Sequence, residues 1–128
     1  MRHLFTVLML VAAAINLAPA AGAILPARMA SVYGVALDDP NLQVLMRHRA
    51  VLFGLVGGLL AIAAFHPPLR MVGYGAGFVS MLSFLLIAWV VDGSGPQIQR
   101  VVVADVLGLS ALSGAAAVHA FWLRADGV

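Results

Sequence analysis

The stretch Asp38–Phe65, which reads DDPNLQVLMRHRAVLFGLVGGLLAIAAF, decides the fold. Asp39 can cap the free amides at the start of a helix, and Pro40 suits the first helical position because its missing amide donor costs nothing there. The apolar run that follows is long enough to cross a bilayer, which takes about 20 residues. His66-Pro67-Pro68 ends it, since two successive prolines cannot continue a helix. The pattern predicts a transmembrane helix over residues 40–65.

The composition of the whole chain agrees with this interpretation. Of 128 residues, 63% are hydrophobic and only 9% are charged. A soluble domain has about a quarter of its residues charged, so an ordinary soluble fold is excluded. At about 20 residues per crossing, the membrane spans use most of the chain and leave no room for a soluble catalytic domain. Cysteine is absent, which removes disulfides, thiolate metal sites and CxxC redox chemistry.

Three further apolar stretches flank the central one. Pro19 should kink or thin the last turn of the first stretch, and Pro26 ends it. A turn at residues 92–96 separates the last two stretches, and Trp122 and Arg124 are anchors at the exit of the fourth. We expect one domain over residues 1–128, an all-α integral membrane four-helix bundle, with a short surface helix within 27–37. The predicted spans cover about residues 4–25, 40–65, 69–91 and 97–122.

The N-terminus imitates a secretory signal, with Met1-Arg2-His3 before an apolar run and Ala18-Pro19-Ala20 as an A-x-A site. The apolar run is longer than a usual signal core, so we expect a retained first span. An even number of crossings puts both termini on one side. If the arginines of the second and fourth helices lie within the spans, Arg28 is the only loop arginine on the other side, which predicts cytoplasmic termini in the inner (plasma) membrane.

Several polar side chains fall at membrane depth near the side opposite the termini. Ionisable residues at such depth are costly and usually face a bundle interior or a watery cavity, so we treat this set as a candidate ligand-binding site or buried polar layer. The alternative is structural, because arginines can extend to the interface and an Arg–Asp pair can simply join two helices. The set comprises Asn16, Arg47, His48, Arg49, Ser83, Arg100 and Asp105.

Helical phase and depth favour different arginines for the interior. Arg47 shares a face with small residues that include the GxxxG pair Gly54 and Gly58, a pattern that lets helices approach closely. Arg49 is nearly opposite on the helix but matches the depth of Asp105, so an ion pair is open to it. Both alternatives stand. Small-residue faces recur in the third helix, at Gly73, Gly77 and Ser80, and in the fourth, at Ala104, Gly108, Ala111 and Ala115.

No assembled catalytic or metal-binding set is recognisable. His48 and His66 are 18 residues apart, about 27 Å along a helix, which is too far to share one metal ion. The arginines form no basic stripe interleaved with aromatic residues, so nucleic-acid binding is not expected. We predict no catalytic residues, no metal and no cofactor.

A sequence resemblance covers most of the chain. It is carried by Val32-Tyr33-Gly34-Val35, Asp38-Asp39-Pro40-Asn41-Leu42, Leu45 to Gly54 and Val79 to Phe84. With these motifs the chain resembles a family of small bacterial four-helix membrane proteins without an established activity. Some members carry a phosphopantetheine adenylyltransferase label, which this sequence contradicts because the HxGH motif of that soluble enzyme is missing. The architecture is also distantly similar to that of DoxX-like proteins.

Three function classes follow from these features. The first is a non-enzymatic protein of the lipid bilayer that acts through helix–helix association, as a homo-oligomer or as an accessory subunit of a membrane-protein partner. The alternative is a small transporter or channel with a polar pocket near one membrane face for an anionic or lipid-like ligand. A membrane enzyme acting on a lipid or quinone through His48 ranks third, because no nucleophile or metal motif supports it.

Overall fold

The computed structural model describes residues 1–125, without the side chains of Pro26, Met29 and Ala125. Within that range every regular element is helical, so the predicted all-α fold is confirmed. Residues 126–128, the end of the predicted domain, lie outside the described range. The helices are α1 (Arg2–Leu17), α2 (Pro26–Tyr33), α3 (Pro40–Phe65), α4 (Arg70–Val90) and α5 (Pro96–Ala125), with 3-10 helices at Ala18–Ala23 and Pro67–Leu69.

Local sequence signals set the ends of α3. Asp39 is its N-cap, and its Oδ1 accepts a hydrogen bond of 2.8 Å from the backbone N–H of Asn41. Pro40 occupies the first turn, and the helix ends at Phe65, before His66 and the two prolines. Both predicted boundaries of the second span are therefore confirmed.

The first span thins after Leu17, where the chain passes into the 3-10 helix Ala18–Ala23 with Pro19 at its second position. Proline supplies no amide to the α-helical ladder, which accounts for the change of helix type. The predicted end at Leu25 was two residues too late, since the helical structure stops at Ala23. The expected short surface helix is α2, which ends at Tyr33 and is capped by Gly34 in the left-handed conformation with φ 65°.

Four helical stretches are long and apolar enough to cross a membrane. Most of their large apolar side chains point outward: Leu55, Val79, Trp89 and Val103 are each more than half exposed. Such surfaces suit lipid contact, because acyl chains solvate them as a protein interior would. The chain is thus a multi-pass membrane protein. The four stretches are Arg2–Ala23, Pro40–Phe65, Pro67–Val90 and Pro96–Arg124.

The four long helices form a closed ring around a narrow core. Helix α1 packs on α3 and α5, and α4 packs on the same two helices, so α1 and α4 face each other across the centre. The largest fully buried apolar side chains, which come from all four helices, are Phe5, Met9, Leu60, Met81 and Leu112.

Small residues allow these close approaches, but not all of them at the predicted positions. A Cβ added to Gly57 would lie 2.6 Å from Leu17 Cγ, so α1 lies directly against the α3 backbone there. Gly58 has open space around it, and its predicted place on the packed face was wrong. Gly77 and Gly108 fit the third and fourth faces as expected, against Leu112 and Met81 respectively.

Candidate functional site

A cavity of about 460 Å³ lies between the end of α1, the surface helix α2 and the start of α5. We call it the α2 pocket. Its volume falls within the range of about 300–1,000 Å³ that is typical of small-molecule sites. Most of its wall is apolar. The polar and charged side chains that line it are Arg28, Ser31, Tyr33, Gln97, Arg100 and Asp105.

One face of α5 supplies half of these polar groups. Gln97, Arg100 and Asp105 line the pocket together with Val101 and Ala104, positions that recur every three or four residues along the helix. Gln97 also fixes α2, because its side chain lies against Gly34, where a Cβ would approach Gln97 Cδ to 2.8 Å. The left-handed Gly34 thus lets the surface helix close over the start of α5.

Asp105 is the most deeply placed charged group of the pocket. Its side chain is only 5% exposed, and its Oδ2 has no hydrogen-bond partner among the described protein atoms. A buried carboxylate oxygen without a partner is expensive, because it loses its hydration without compensation. Since Asp105 lines the cavity, a group entering the α2 pocket can contact its carboxylate.

Arg49 does not form the expected ion pair with Asp105. No nitrogen–oxygen contact within 4.0 Å joins the two residues. Instead the Arg49 guanidinium carbon lies 4.9 Å from the ring centroids of Tyr33 and Phe53 and 5.0 Å from that of Phe84. Cation–π contacts act within about 6 Å, so three rings from α2, α3 and α4 surround this charge. We call Arg49 with these rings the Arg49 cluster.

Tyr33 connects the Arg49 cluster with the α2 pocket, because it belongs to both. Burial raises the pKa of the Tyr33 hydroxyl above its ordinary value; the positive charge of Arg49 opposes this shift and the negative charge of Asp105 adds to it. Both charges are thus close enough to act on the same hydroxyl. Arg49 and Asp105 share one electrostatic environment without touching each other.

A second, smaller cavity of about 190 Å³ lies between α3 and α4. Arg49, Ser80 and Ser83 are its polar lining, and Phe53 lines both this cavity and the α2 pocket. The hydroxyl of the exposed Ser83 donates a hydrogen bond to the Ser80 carbonyl of the same helix. Phe53 therefore borders both cavities.

Asn16 lies at the centre of the bundle rather than in either cavity. It is 1% exposed, and its Nδ2 donates to the Ala12 carbonyl at 3.0 Å. Its Oδ1 accepts a hydrogen bond of 3.3 Å from the Ser80 hydroxyl, which joins α1 to α4 across the core. This pairing satisfies the buried amide and gives Asn16 a structural role.

The remaining candidates lie on the outside. Arg47 is exposed, and its Nε donates a hydrogen bond of 2.9 Å to the Ala23 carbonyl, so it ties α3 to the 3-10 helix after α1. The interior position that helical phase favoured for Arg47 is therefore not realised, although Ala50 on the same predicted face is buried. His48 is also exposed and lines neither of the two cavities just described.

Arg100 and Asp105 thus line the α2 pocket together with Tyr33 and Phe53 of the Arg49 cluster, whereas Arg47 and His48 lie outside this group. Sequence reasoning missed Arg28 and Tyr33 because both belong to the connection between spans. Phe53 could have been found, since it lies one helical turn after Arg49 and such pairs meet on a helix surface.

A second aromatic cluster occupies the side of the termini. The guanidinium carbon of Arg70 lies 4.6 Å from the Phe5 ring and 5.8 Å from that of Trp122. Nearby, the hydroxyl of Tyr74 is 3.1 Å from Nδ1 of His119. In the described part of the chain no group of three or more histidine or carboxylate side chains is placed to hold a metal ion.

No protein-family model, curated protein or solved structure matches this chain. The chemistry of the α2 pocket is therefore the main guide to what this protein binds.

Proposed function

We propose that this chain is a membrane protein that binds a small amphipathic ligand with an anionic group in the α2 pocket. One observation supports this most: a cavity with a mostly apolar wall also presents two arginines, Arg28 and Arg100, against a single aspartate. Both arginines are exposed, so their charged ends can reach an acid group at the pocket while apolar parts of the ligand contact the wall.

Oligomerisation, the first function class favoured by the sequence, has lost part of its support. That prediction depended on more small-residue faces than one bundle needs. Gly57, Gly77 and Gly108 contact helices of the same chain, so these positions are already used within the bundle. The binding proposal requires no second copy or partner protein, and mass measurement of the purified protein in detergent would determine the oligomeric state separately.

Binding can be tested with purified full-length protein in a neutral detergent. We expect phosphatidylglycerol, which carries a phosphate and no amine, to raise the unfolding temperature in a concentration-dependent way, because a ligand that binds only the folded state stabilises it. The double variant Arg28→Gln/Arg100→Gln should lose this response. Arg2→Gln/Arg124→Gln, which removes two exposed arginines from the other end, is the matched control and should respond like the original protein.

Two results would refute the proposal. One is an unchanged response to phosphatidylglycerol in Arg28→Gln/Arg100→Gln. The other is the absence of any response in the original protein to phosphatidylglycerol and to phosphatidic acid, which together cover a substituted and a free phosphate.

Transport is a second candidate function, favoured by the cavity on the far side of Phe53. Phe53 borders both the α2 pocket and the cavity that contains Ser80 and Ser83. In transporters, charged residues at membrane depth mark the substrate path. Phe53→Ala should then increase the flux of a bound anion in proteoliposomes, whereas Phe65→Ala, on the exposed end of α3, should leave it unchanged. Equal flux in all three proteins would exclude this path.

A further inference from the structure

The buried carboxylate of Asp105 sets a second requirement on the ligand, beyond the anionic group that the arginines would bind. The Asp105 side chain is only 5% exposed and lines the α2 pocket. Its Oδ2 has no hydrogen-bond partner among the described protein atoms. An acid group alone would not complete this site, because it would add a second negative charge beside the first.

The neighbouring cations do not meet this requirement. The Arg49 guanidinium is held among the rings of Tyr33, Phe53 and Phe84 and makes no contact within 4.0 Å of Asp105. Arg100 is on the same helix five residues earlier, about 7.5 Å along the axis, and its side chain is exposed. Because no described protein atom donates to Asp105 Oδ2, a group that enters the cavity is the partner left for this carboxylate.

We propose that the ligand of the α2 pocket is a zwitterion, with an N–H-bearing ammonium group bound by Asp105 and an anionic oxygen acid bound by Arg28 and Arg100. This inference rests on the proposed function and deepens it. The ammonium group binds deep in the pocket, against the buried carboxylate of Asp105. The acid group binds nearer the surface, against the exposed arginines. An ammonium N–H to carboxylate hydrogen bond is charge-assisted, and it places a positive charge beside the buried negative charge of Asp105.

Two kinds of molecule carry such an ammonium group and acid together. One is an aminophospholipid of the bilayer, and the other is a free water-soluble zwitterion such as phosphoethanolamine. The apolar lining, which includes Ile15, Val32 and Val101, offers contact to carbon chains that only the lipid has. The headgroup of phosphatidylethanolamine is thus the suitable probe. Phosphatidylcholine is its control, since it keeps the phosphate and the positive charge but has no N–H to donate.

The test measures lipid binding by native mass spectrometry of the full-length protein in detergent, with phosphatidylethanolamine, phosphatidylcholine, phosphatidylglycerol and free phosphoethanolamine. We expect the protein to prefer phosphatidylethanolamine over phosphatidylcholine by about tenfold, the effect of one charged hydrogen bond. Asp105→Asn should abolish this preference and retain phosphatidylglycerol binding. Asp92→Asn, which alters an exposed aspartate outside the pocket, is the matched control and should keep the preference.

The outcomes separate this inference from the proposed function. Equal binding of phosphatidylethanolamine and phosphatidylcholine, with phosphatidylglycerol bound and released by Arg28→Gln/Arg100→Gln, would overturn the zwitterion and leave the anion site standing. Failure of all the phospholipids and of phosphoethanolamine would overturn both. Binding of phosphoethanolamine as tightly as the lipid would support the zwitterion and assign it to a soluble source. If Asp105→Asn does not fold, the zwitterion is tested by whether the unaltered protein binds phosphatidylethanolamine more tightly than phosphatidylcholine.

Discussion

The guanidinium carbon of Arg49 lies 4.9 Å from the centre of the Tyr33 ring, and this contact connects a membrane-spanning helix to the surface helix over the α2 pocket. Arg49 comes from α3 and Tyr33 is the last residue of α2. Because Tyr33 also lines the pocket, the cation stabilises the wall of the candidate site. The Arg49 cluster is therefore a structural support, and Asp105 and the two exposed arginines are the groups left for a ligand.

Replacing Arg49 should destabilise the protein more than replacing Arg47. Arg49→Gln removes a half-buried cation from three rings, with an expected loss of about 1–2 kcal/mol in the free energy of unfolding. Arg47→Gln removes one exposed hydrogen bond to Ala23 and should cost about 0.5 kcal/mol. Denaturant titration of both variants in detergent micelles measures the difference. An equal or smaller loss in Arg49→Gln would show that the rings do not stabilise the cation.

Two adjacent glycines provide a matched test of helix packing. A Cβ on Gly57 would lie 2.9 Å from the backbone nitrogen of Leu17 and 3.0 Å from the carbonyl oxygen of Ala13, so α1 would have to move. We expect Gly57→Ala to cost about 1–3 kcal/mol, as overpacking does. Gly58→Ala meets open space and should be neutral or stabilise the helix by up to about 1 kcal/mol. Thermal unfolding in detergent distinguishes them, and the reverse order would contradict the observed rotation of α3.

The hydrogen bond between Ser80 and Asn16 should contribute measurably to stability. Ser80→Ala leaves the buried Asn16 Oδ1 without this donor, and hydrogen bonds between membrane helices are worth about 0.6 kcal/mol on average. The control Ser83→Ala loses only a bond to the carbonyl of its own helix, so its stability should change by less. Unfolding curves for both variants test the role of Asn16, and an unchanged Ser80→Ala would remove the α1–α4 connection from the account.

How far the sequence predicts this molecule depends on the range of the interactions involved. The ends of α3 follow from Asp39, Pro40 and the prolines after His66, which act within one helical turn, and both ends were predicted correctly. The rotation of α3 depends on how α1 packs against it, and this packing uses Gly57 instead of Gly58. Arg47, one of the two arginines that the sequence allowed in the interior, is exposed and bonds the Ala23 carbonyl.

The candidate site shows the same division. Asp105 was assigned to a candidate buried polar layer from its depth in the fourth span, and its side chain is 5% exposed. The ion pair with Arg49 that the sequence left open is not formed, since rings from three elements surround Arg49, and Tyr33 and Phe84 are distant from it in sequence. Contacts of that kind depend on the three-dimensional arrangement of helices, which no local pattern encodes.

The orientation predicted from the arginines can be tested by labelling, because the chain has no cysteine. Asp38→Cys and His66→Cys place single thiols at exposed positions on either side of the span Pro40–Phe65. With cytoplasmic termini, a membrane-impermeant maleimide added to sealed right-side-out vesicles should label Asp38→Cys, whereas His66→Cys should react only after lysis. The opposite result would place the termini outside, and equal protection or equal labelling would contradict the four-span arrangement.

Blocking the α2 pocket tests the central claim most directly. Ala104 lines the pocket, whereas its neighbour Val103 is exposed on the outside of α5. Ala104→Trp should reduce phosphatidylglycerol and phosphatidylethanolamine binding by about tenfold or more, because the indole occupies the space of the ligand, and Val103→Trp should bind both lipids like the unaltered protein. Native mass spectrometry of the folded variants gives the comparison. Unchanged lipid binding by a folded Ala104→Trp variant would contradict a ligand site in the α2 pocket.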